Sequence, residues 1–425
     1  MTYRFALDLD RRRYDDFVTA SKYGTLLQSY AWADIKKDWD HLHTGVVDEN
    51  NQVAAAGLVL IHKLPLGQTY FYLPRGPVMD FDNEELVKFY FTSLKEVARK
   101  RHCVMIKFDP AIHVNDYKVK DHNENRYPES EKYLAMFKDL GAVHYGYTVY
   151  LEETAQPRFV ANVYKTENPE KELSKNTKRN IKVAEKHHVR VEMGRLEFLD
   201  DFSKMIEMTE ERQKINLRDK DYFRRIMETY GDDAAIFLAK VNAYQLYHEA
   251  ADHLNELRQK KAEMDASPEG SNKEKRLKQL KEQLSSAEKE EAEFKDLLEE
   301  TGGKDEDTPI AGAMVVKYGR TCENLYAGTD LRFKKLRAQY KTWFENIKWS
   351  FEQGCEWNDL GGIEGTLDDG LTKFKENFNP TINEFIGEFD LPVNKVLYPL
   401  VSRAYRHIKE KNAKEMMANE KKEDA

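Results

Sequence analysis

The chain has 425 residues, 40 % hydrophobic and 12 % aromatic. That is too long for one ordinary domain and apolar enough for two sizeable cores. Its 67 Lys and Arg are outnumbered by 75 Asp and Glu, a formal net charge of −8, which excludes a protein coated in nucleic acid but leaves room for a local basic site.

No apolar run reaches membrane-spanning length, no signal peptide is read, and Cys103, Cys322 and Cys355 lack metal or redox spacing. A cytoplasmic protein with reduced thiols is expected. Short helices are predicted over Arg11 to Thr19 and Ser29 to Trp39. Leu42 to Asp48 and Gln52 to Lys63 predict a β-hairpin about Glu49-Asn-Asn51. A strand, Tyr70 to Leu73, runs into Pro74-Arg-Gly-Pro-Val78. An amphipathic helix over Glu85 to Arg101 turns Leu86, Phe89, Tyr90, Leu94 and Val97 inward, and Val104 to Asp109 reads as a buried strand. The polar stretch Asn115 to Glu131 reads as a long loop.

Further on, Tyr247, Ala250, Leu254, Leu257, Lys261 and Met264 step by three and four. So do Leu277, Leu280, Leu284, Ala287, Glu291, Phe294 and Leu298, with the breakers Ser267-Pro-Glu-Gly-Ser-Asn272 between the two runs. These predict an antiparallel helical hairpin roughly 30 Å long, pairing Leu257 with Leu284, Leu254 with Ala287 and Tyr247 with Phe294. Strand-like segments flank it, Ala234 to Val241 and Pro309 to Lys317, so the arm is expected as an insertion within a β-hairpin. After it, Asn324 to Ala327, a helix bearing Tyr340, Trp343, Phe344, Ile347 and Phe351, and Cys355 to Leu360 repeat the order of the first half. A short helix over Gly370 to Phe378, a strand over Thr381 to Phe389, a helix over Pro392 to Lys411 and a charged, disordered tail complete the prediction.

Hairpin, strand, long helix, strand, twice over, suits a mixed α/β fold with helices packed on sheets, in the order of the GNAT acyltransferase core. The expected domains are 1–151 with 390–425, 152–241 with 302–389, and a coiled-coil arm over 242–301. A CoA-using GNAT domain carries a glycine-rich turn for the pyrophosphate; Pro74-Arg-Gly-Pro-Val-Met-Asp80 and Ala327-Gly-Thr-Asp-Leu-Arg332 are not such turns.

Five further stretches carry a family resemblance: Leu27-Gln-Ser-Tyr-Ala-Trp32 with Lys36; Tyr70 to Val78; Leu173-Ser-Lys-Asn-Thr-Lys-Arg-Asn-Ile181; Glu211-Arg212; and Asp369-Gly-Leu-Thr-Lys-Phe-Lys-Glu-Asn-Phe378. In this order they resemble the FemABX family of tRNA-dependent aminoacyltransferases of peptidoglycan cross-bridges. The arm resembles that of the lipid II-modifying branches (FemA-like, MurM- and MurN-like).

The resemblance implies transfer of glycine, alanine or serine from aminoacyl-tRNA to the stem-peptide lysine of a peptidoglycan precursor, lipid II or UDP-MurNAc-pentapeptide, with peripheral membrane contact through lipid II. No cofactor and no metal are expected. Asp109 is then the acidic residue near the acceptor, as a base or an orienting group, against a plain turn carboxylate. Lys36 and Arg212, with Arg75, are implied to grip the acceptor's phosphates, against a solvated helix face. Phe374 and Lys375 are implied to meet the aminoacyl end of the tRNA, Lys375 near the ester; Phe374 as ordinary core is the alternative. Lys175, Lys178 and Arg179 lie in the densest basic stretch, for tRNA or lipid phosphate or as a solvated face. His187 and His188 have no partner cluster for a metal. The arm's Glu288, Glu290, Glu291 and Glu293 oppose a tRNA clamp, whereas Lys273, Lys275, Arg276 and Lys278 leave a contact near its tip open. The rivals are a CoA-dependent GNAT N-acyltransferase and a non-catalytic coiled-coil interaction protein; a cleft lacking Lys36, Asp109, Arg212 and Lys375 would favour the latter.

Overall fold

The computed structural model describes residues 2–123, 125–213, 218–268 and 272–423. Two eight-stranded sheets form the body. The first runs Arg4–Ala6, Asp40–Val47, Val53–Lys63, Thr69–Leu73, Cys103–Phe108, Phe389–Pro392, Val143–His144, with Val78–Met79 beside Val53–Lys63. The second runs Arg190–Gly194, Ala234–Asn242, Asp307–Tyr318, Thr321–Thr329, Trp357–Ile363, Phe159–Tyr164, Thr381–Phe385, His113–Tyr117. Each is antiparallel except at one junction, where Thr69–Leu73 meets Cys103–Phe108 and Thr321–Thr329 meets Trp357–Ile363. A parallel pair needs a crossover, and the helices Glu84–Lys100 and Ala338–Glu352 supply it.

Local chemistry explains these helices. Asn83 caps the first by accepting from the Leu86 N–H, Glu84 and Glu85 sit at its start and Arg99 and Lys100 at its end, as the helix dipole favours. Its inward residues join a core that continues into the second half through Phe202, Phe223, Ile226 and Met314. The halves therefore share buried surface.

Several expectations are corrected. Ser29 to Trp39 is not one helix; a 3₁₀ turn at Leu26–Gln28 precedes a short helix, Trp32–Ile35. The stretch read as a loop from Asn115 to Glu131 holds part of the strand His113–Tyr117 and the start of the helix Glu129–Asp139. Asn383 donates to Asp116, so the sheet's polar edge hides the apolar alternation that marks a strand. Thr381 to Phe389 divides: Thr381–Phe385 pairs in the second sheet and Phe389–Pro392 in the first. With His113–Tyr117 in the second sheet, the chain crosses four times between the two sheets: after Phe108, after Tyr117, after His144 and after Phe385. Boundaries at 151 and 390 fall at two of these crossings and leave His113–Tyr117 on the far side of the other two. The last helix starts at Tyr398, after Pro392 has ended a strand, and continues to Glu423 where a disordered tail was expected. Its final turns contain neither Gly nor Pro.

The crossover is pinned by charge. Lys107, 1 % exposed, pairs with Glu388 and, at 2.8 Å, with Asp390, its Nζ lying 4.0 Å from the Tyr405 ring centroid. Burial alone would lower the Lys107 pKa; the two carboxylates reverse that and raise it well above the usual lysine value. Glu388 also accepts from the Ala155 N–H, at 2.8 Å.

Ala234–Asn242 and Asp307–Tyr318 pair directly, Asn242 opposite Asp307, and the helices Ala243–Ala266 and Lys273–Glu300 stand between them. Residues 269–271 of the expected breaker turn lie outside the described residues. Leu254, Leu257, Leu280, Leu284 and Ala287 form a distal seam. At the base, Leu246, Ala250, Phe294 and Leu297 pack with Ala239, Ile310 and Phe333 of the body. With 24 and 28 residues, the helices are roughly 40 Å long at 1.5 Å per residue. The acidic patch is partly consumed: Glu290 faces Lys186, Glu293 pairs with Lys335 and Glu288 with Arg258. His188 bonds Glu249 at 2.8 Å, so this histidine docks the arm. No metal-holding group of His, Cys, Asp or Glu occurs among the described residues. Among them, no helix is long and apolar enough to cross a membrane.

Candidate active site

The first motif acts as a latch. Gln28 is buried; its amide donates to the Pro74 carbonyl at 2.7 Å and its oxygen accepts from the Leu58 N–H at 2.9 Å. A Cβ on Gly76 would lie 2.4 Å from the Gln28 side chain, so glycine alone fits beneath it. Ser29 bonds Tyr230 at 2.7 Å, and the Leu26 N–H donates to Glu323 at 2.9 Å, both in the second half. The turn so held puts Arg75 at a left-handed φ of 54°. Asp109 supports that conformation, accepting from the Arg75 N–H at 2.6 Å and the Tyr72 hydroxyl at 3.1 Å. Asp109 is itself buried, and burial pushes its carboxyl up to about 7 against the opposing pull of Arg75. The Arg75 guanidinium donates to the Pro157 carbonyl and lies 3.9 Å from the Phe385 ring centroid.

Two neighbouring cavities open between the halves and share Leu27, Gln156 and Leu325. One, about 380 Å³, is lined by Lys36, Arg218, Arg225 and Tyr222. Lys36 points inward and Lys37 outward. Its ammonium donates to Tyr222 at 3.2 Å, and burial, then Arg218, lowers its pKa to about 8. The Arg225 Nε is buried without a hydrogen-bond partner. Arg212 stands exposed near the end of the helix Leu199–Gln213 and lines neither cavity. Arg218 and Arg225 line the cavity with Lys36 instead; they lie on or beside the helix Lys220–Tyr230, whose Tyr222 faces Lys36. A sequence signal existed: Arg218, Tyr222 and Arg225 step by four and three.

The second cavity, about 400 Å³, is lined by Arg75, His113, Asn162, Glu323, Asn324 and Asp359 among others. It exists because strands part. Thr321–Thr329 and Trp357–Ile363 pair only as far as Glu323 opposite Asp359. Beyond that, one strand stays with Asp307–Tyr318 and the other with Phe159–Tyr164. Burial and then Asp359 push Glu323 up to about 8; Asp359 is raised too, first by burial. No motif in the sequence marks this pair, although Cys355 to Leu360 holds the place in the repeat that Val104 to Asp109 holds in the first half.

Lys375 lies behind the cavity wall. It is buried, donates to the Gly362 carbonyl at 2.7 Å, and burial lowers its pKa to about 8 although Asp359 and Asp369 oppose the shift. A Cβ on Gly361 would lie 3.4 Å from its Nζ. Phe374 is half-buried against Tyr340, Trp343 and Phe378, with ring centroids 5.3 to 5.5 Å away, and lines neither cavity.

The basic helix Lys175–Lys186 begins against the same short helix, Gly370–Glu376. Ser174 caps it, the Thr177 hydroxyl donates to the Asn377 carbonyl at 2.6 Å, and Asn176 donates to the Asn377 side chain at 3.0 Å. Lys175 and Arg179 are exposed, whereas Lys178 folds back onto the Lys171 carbonyl. Of the expected site residues, Lys36 and Arg75 line the shared cleft, Asp109 and Lys375 stand directly behind it, and Arg212 does not reach it.

Two mixed α/β halves with a polar cleft between them define the fold of this chain. A family model described as "FemAB family" matches residues 9–406, and the chain belongs to that family. It is similar to proteins named "Lipid II:glycine glycyltransferase". The one from Staphylococcus aureus (strain MRSA252) is 26 % identical over 415 residues, covering 93 % of this chain and 95 % of that protein. The one from Staphylococcus epidermidis (strain ATCC 35984) is 27 % identical over 421 residues, covering 93 % and 95 %. A solved structure titled "Crystal structure of FemX" superposes with a TM-score of 0.72 and 26 % identity, covering 94 % of this chain and 100 % of that one. The chain is accordingly an acyltransferase enzyme of the aminoacyl-transferring kind.

Proposed function

We propose that this protein moves an amino acid, glycine in the first instance, from an aminoacyl-tRNA to the stem-peptide lysine amine of lipid II. The observation that carries the reading is the pair of joined cavities, one cationic and one rich in hydrogen-bond acceptors. A pyrophosphate suits Lys36, Arg218 and Arg225, because charge-assisted bonds to phosphate oxygens are the strong ones. A stem peptide then extends past Leu27, Gln156 and Leu325 into the second cavity. The relatives' names supply lipid II and glycine; the resemblance supplies the tRNA.

An ester donor is already activated, so the chemistry asks for alignment, a neutral amine and stabilisation of the oxyanion. Lys375, next to the cavity wall, is the cation for the oxyanion. Asp109 is a positioning residue, since its carboxylate is already bonded to Tyr72 and the Arg75 N–H. The exposed Lys175 and Arg179, beside the Lys375 helix, suit the phosphates of a tRNA end.

Local bonding weighs against a CoA donor. At the first candidate turn the Arg75 N–H is taken by Asp109; at the second, Asp330 accepts from the Arg332 N–H at 3.0 Å.

The test is transfer of labelled amino acid to lipid II from charged tRNA, abolished by RNase. No transfer with glycine, alanine or serine rejects the reading, and acetyl-CoA turnover without RNA replaces it.

A further inference from the structure

We propose that the Glu323–Asp359 pair, with the unpartnered oxygens of Asn162 and Thr321, receives the acceptor's primary ammonium and takes the proton that must leave before its nitrogen attacks. This rests on the aminoacyl-transfer reading given above and assigns to it the group that prepares the nucleophile.

Three observations on the cavity converge. Glu323 and Asp359 are opposite partners at the last paired step of the parting strands, so their carboxylates stand side by side where the sheet opens. Asn162 and Thr321, each 4 % exposed, line the same cavity and leave Oδ1 and Oγ1 without a hydrogen-bond partner. Buried polar atoms are normally satisfied, and a set made mostly of acceptors calls for a ligand that is all donor. An ammonium with three N–H groups and one charge fits; a carboxylate or phosphate does not.

Among the described residues no cation forms an ion pair with either carboxylate, although Arg75 acts on both, and Lys375 and His113 on Asp359, from a distance. Arg75 is held by Pro157 and Phe385, and Lys375 by Gly362. His113 bonds Asp116, and Arg320 pairs with Glu356; Lys22 lies over Tyr23, 4.8 Å from the ring centroid. Among the described residues the Glu323 carboxyl accepts from the Leu26 N–H and the Asp359 carboxyl from the Gly361 N–H, with no other hydrogen bond to either carboxyl.

The step balances. A lysine ammonium, with a free pKa of roughly 10.4, gives one proton to the carboxylate pair. Its nitrogen lone pair forms the C–N bond at the ester carbonyl carbon, and the C–O bond to the ribose breaks. The second nitrogen proton goes to the departing ribose oxygen, and the pair releases its proton to solvent. Burial and mutual repulsion keep Glu323 near 8, close enough to neutrality to accept a proton and return it.

The test uses the full chain and calorimetric binding of a water-soluble, short-chain lipid II, with lysine or norleucine at the third position of its stem peptide, to wild type, Glu323→Gln and Asp359→Asn. Wild type should bind the lysine form about tenfold tighter, the size of one charge-assisted hydrogen bond. Both variants should reduce that ratio to about two or less, with norleucine-form affinity unchanged as the check on folding. An unaltered ratio in both variants overturns the assignment, as does a wild type indifferent to the amine. A wild type that binds neither precursor overturns the transferase reading itself. A non-hydrolysable glycyl-aminoadenosine and its des-amino form provide the other arm. Loss of discrimination there, and not on the lysine precursor, gives the pair to the donor's α-ammonium and overturns this assignment.

Discussion

The two parallel strand pairs begin from the same plan and end differently. In the first sheet Thr69–Leu73 stays zipped to Cys103–Phe108 until Leu73 meets Phe108. The next acid, Asp109, is sealed beneath Tyr72 and the Arg75 turn. In the second sheet pairing stops at Glu323 and Asp359, while both strands run on with other neighbours. The closed junction holds a carboxylate that supports structure; the open one holds two that face a cavity. One duplicated design therefore ends in two ways, sealed on one side and open to a cavity on the other.

The largest expected effect comes from breaking what ties the sheets together. Lys107→Ala leaves Glu388 and Asp390 buried without their cation, and removing one partner of a buried pair costs about 3–5 kcal/mol. Chemical denaturation should show that loss as one shifted transition, because the core is continuous across both halves. Two separate transitions, with the second half unchanged, would show that the sheets fold independently.

Next comes the cationic cavity. Lys36→Ala and Arg225→Ala should each weaken binding of a short-chain lipid II by about tenfold or more, the worth of a charge-assisted hydrogen bond. Lys37→Ala and Arg212→Ala should change it little, since neither side chain lines the cavity. Affinity should also fall as pH rises through about 8, where Lys36, desolvated and facing Arg218, loses its proton. Lys36→Ala should flatten that part of the profile. A larger loss from Arg212→Ala than from Arg225→Ala would restore the original pairing of Lys36 with Arg212.

The contrast also marks what could be read from residues alone. The arm, both crossover helices and the repeat were legible because their apolar spacing is regular. His113–Tyr117 was not, since its neighbours in the sheet are polar: Asn383 bonds Asp116, and Arg126 bonds Glu384. Asp109 was singled out through the family resemblance, at the end of the predicted strand Val104 to Asp109. Whether a strand end is sealed or parted depends on pairing between distant segments, which no local pattern encodes. Arg212 came with the family resemblance at Glu211-Arg212, whereas Arg218 and Arg225 reach the cavity beside Lys36 through contacts with Tyr222.

A smaller effect separates the two kinds of acid by stability. Glu323 has a folded pKa raised to about 8, by burial and by Asp359, with Arg75 opposing; an unfolded glutamate titrates near 4.3. The folded state thus holds the proton more tightly. Its stabilising contribution is full below about 4.3, declines as pH rises, and is gone once pH passes about 8. Glu323→Gln should remove that slope and leave the protein at least as stable as wild type at pH 8. Asp109→Ala should instead destabilise at neutral pH, by about 1–3 kcal/mol, because it strips the Arg75 N–H and Tyr72 of their acceptor. Equal destabilisation by both would erase the distinction between a sealed and an open junction.

The smallest effect is expected from trimming only the distal part of the arm; a cut that reaches its base should cost more. Deleting 255–286 and rejoining the helices by a short linker removes the distal seam residues Leu257, Leu280 and Leu284 but spares Leu246, Ala250, Phe294 and Leu297. The body should then unfold at an unchanged denaturant concentration. Deleting 242–301 strips those four residues from Ala239, Ile310 and Phe333. Leaving two large apolar side chains' worth of surface bare costs about 3 kcal/mol or more, so this deletion should shift the midpoint downward. Indistinguishable midpoints would mean that the base of the arm is only apposed to the body. A full loss of the transition from the distal cut would mean that the arm is part of the core.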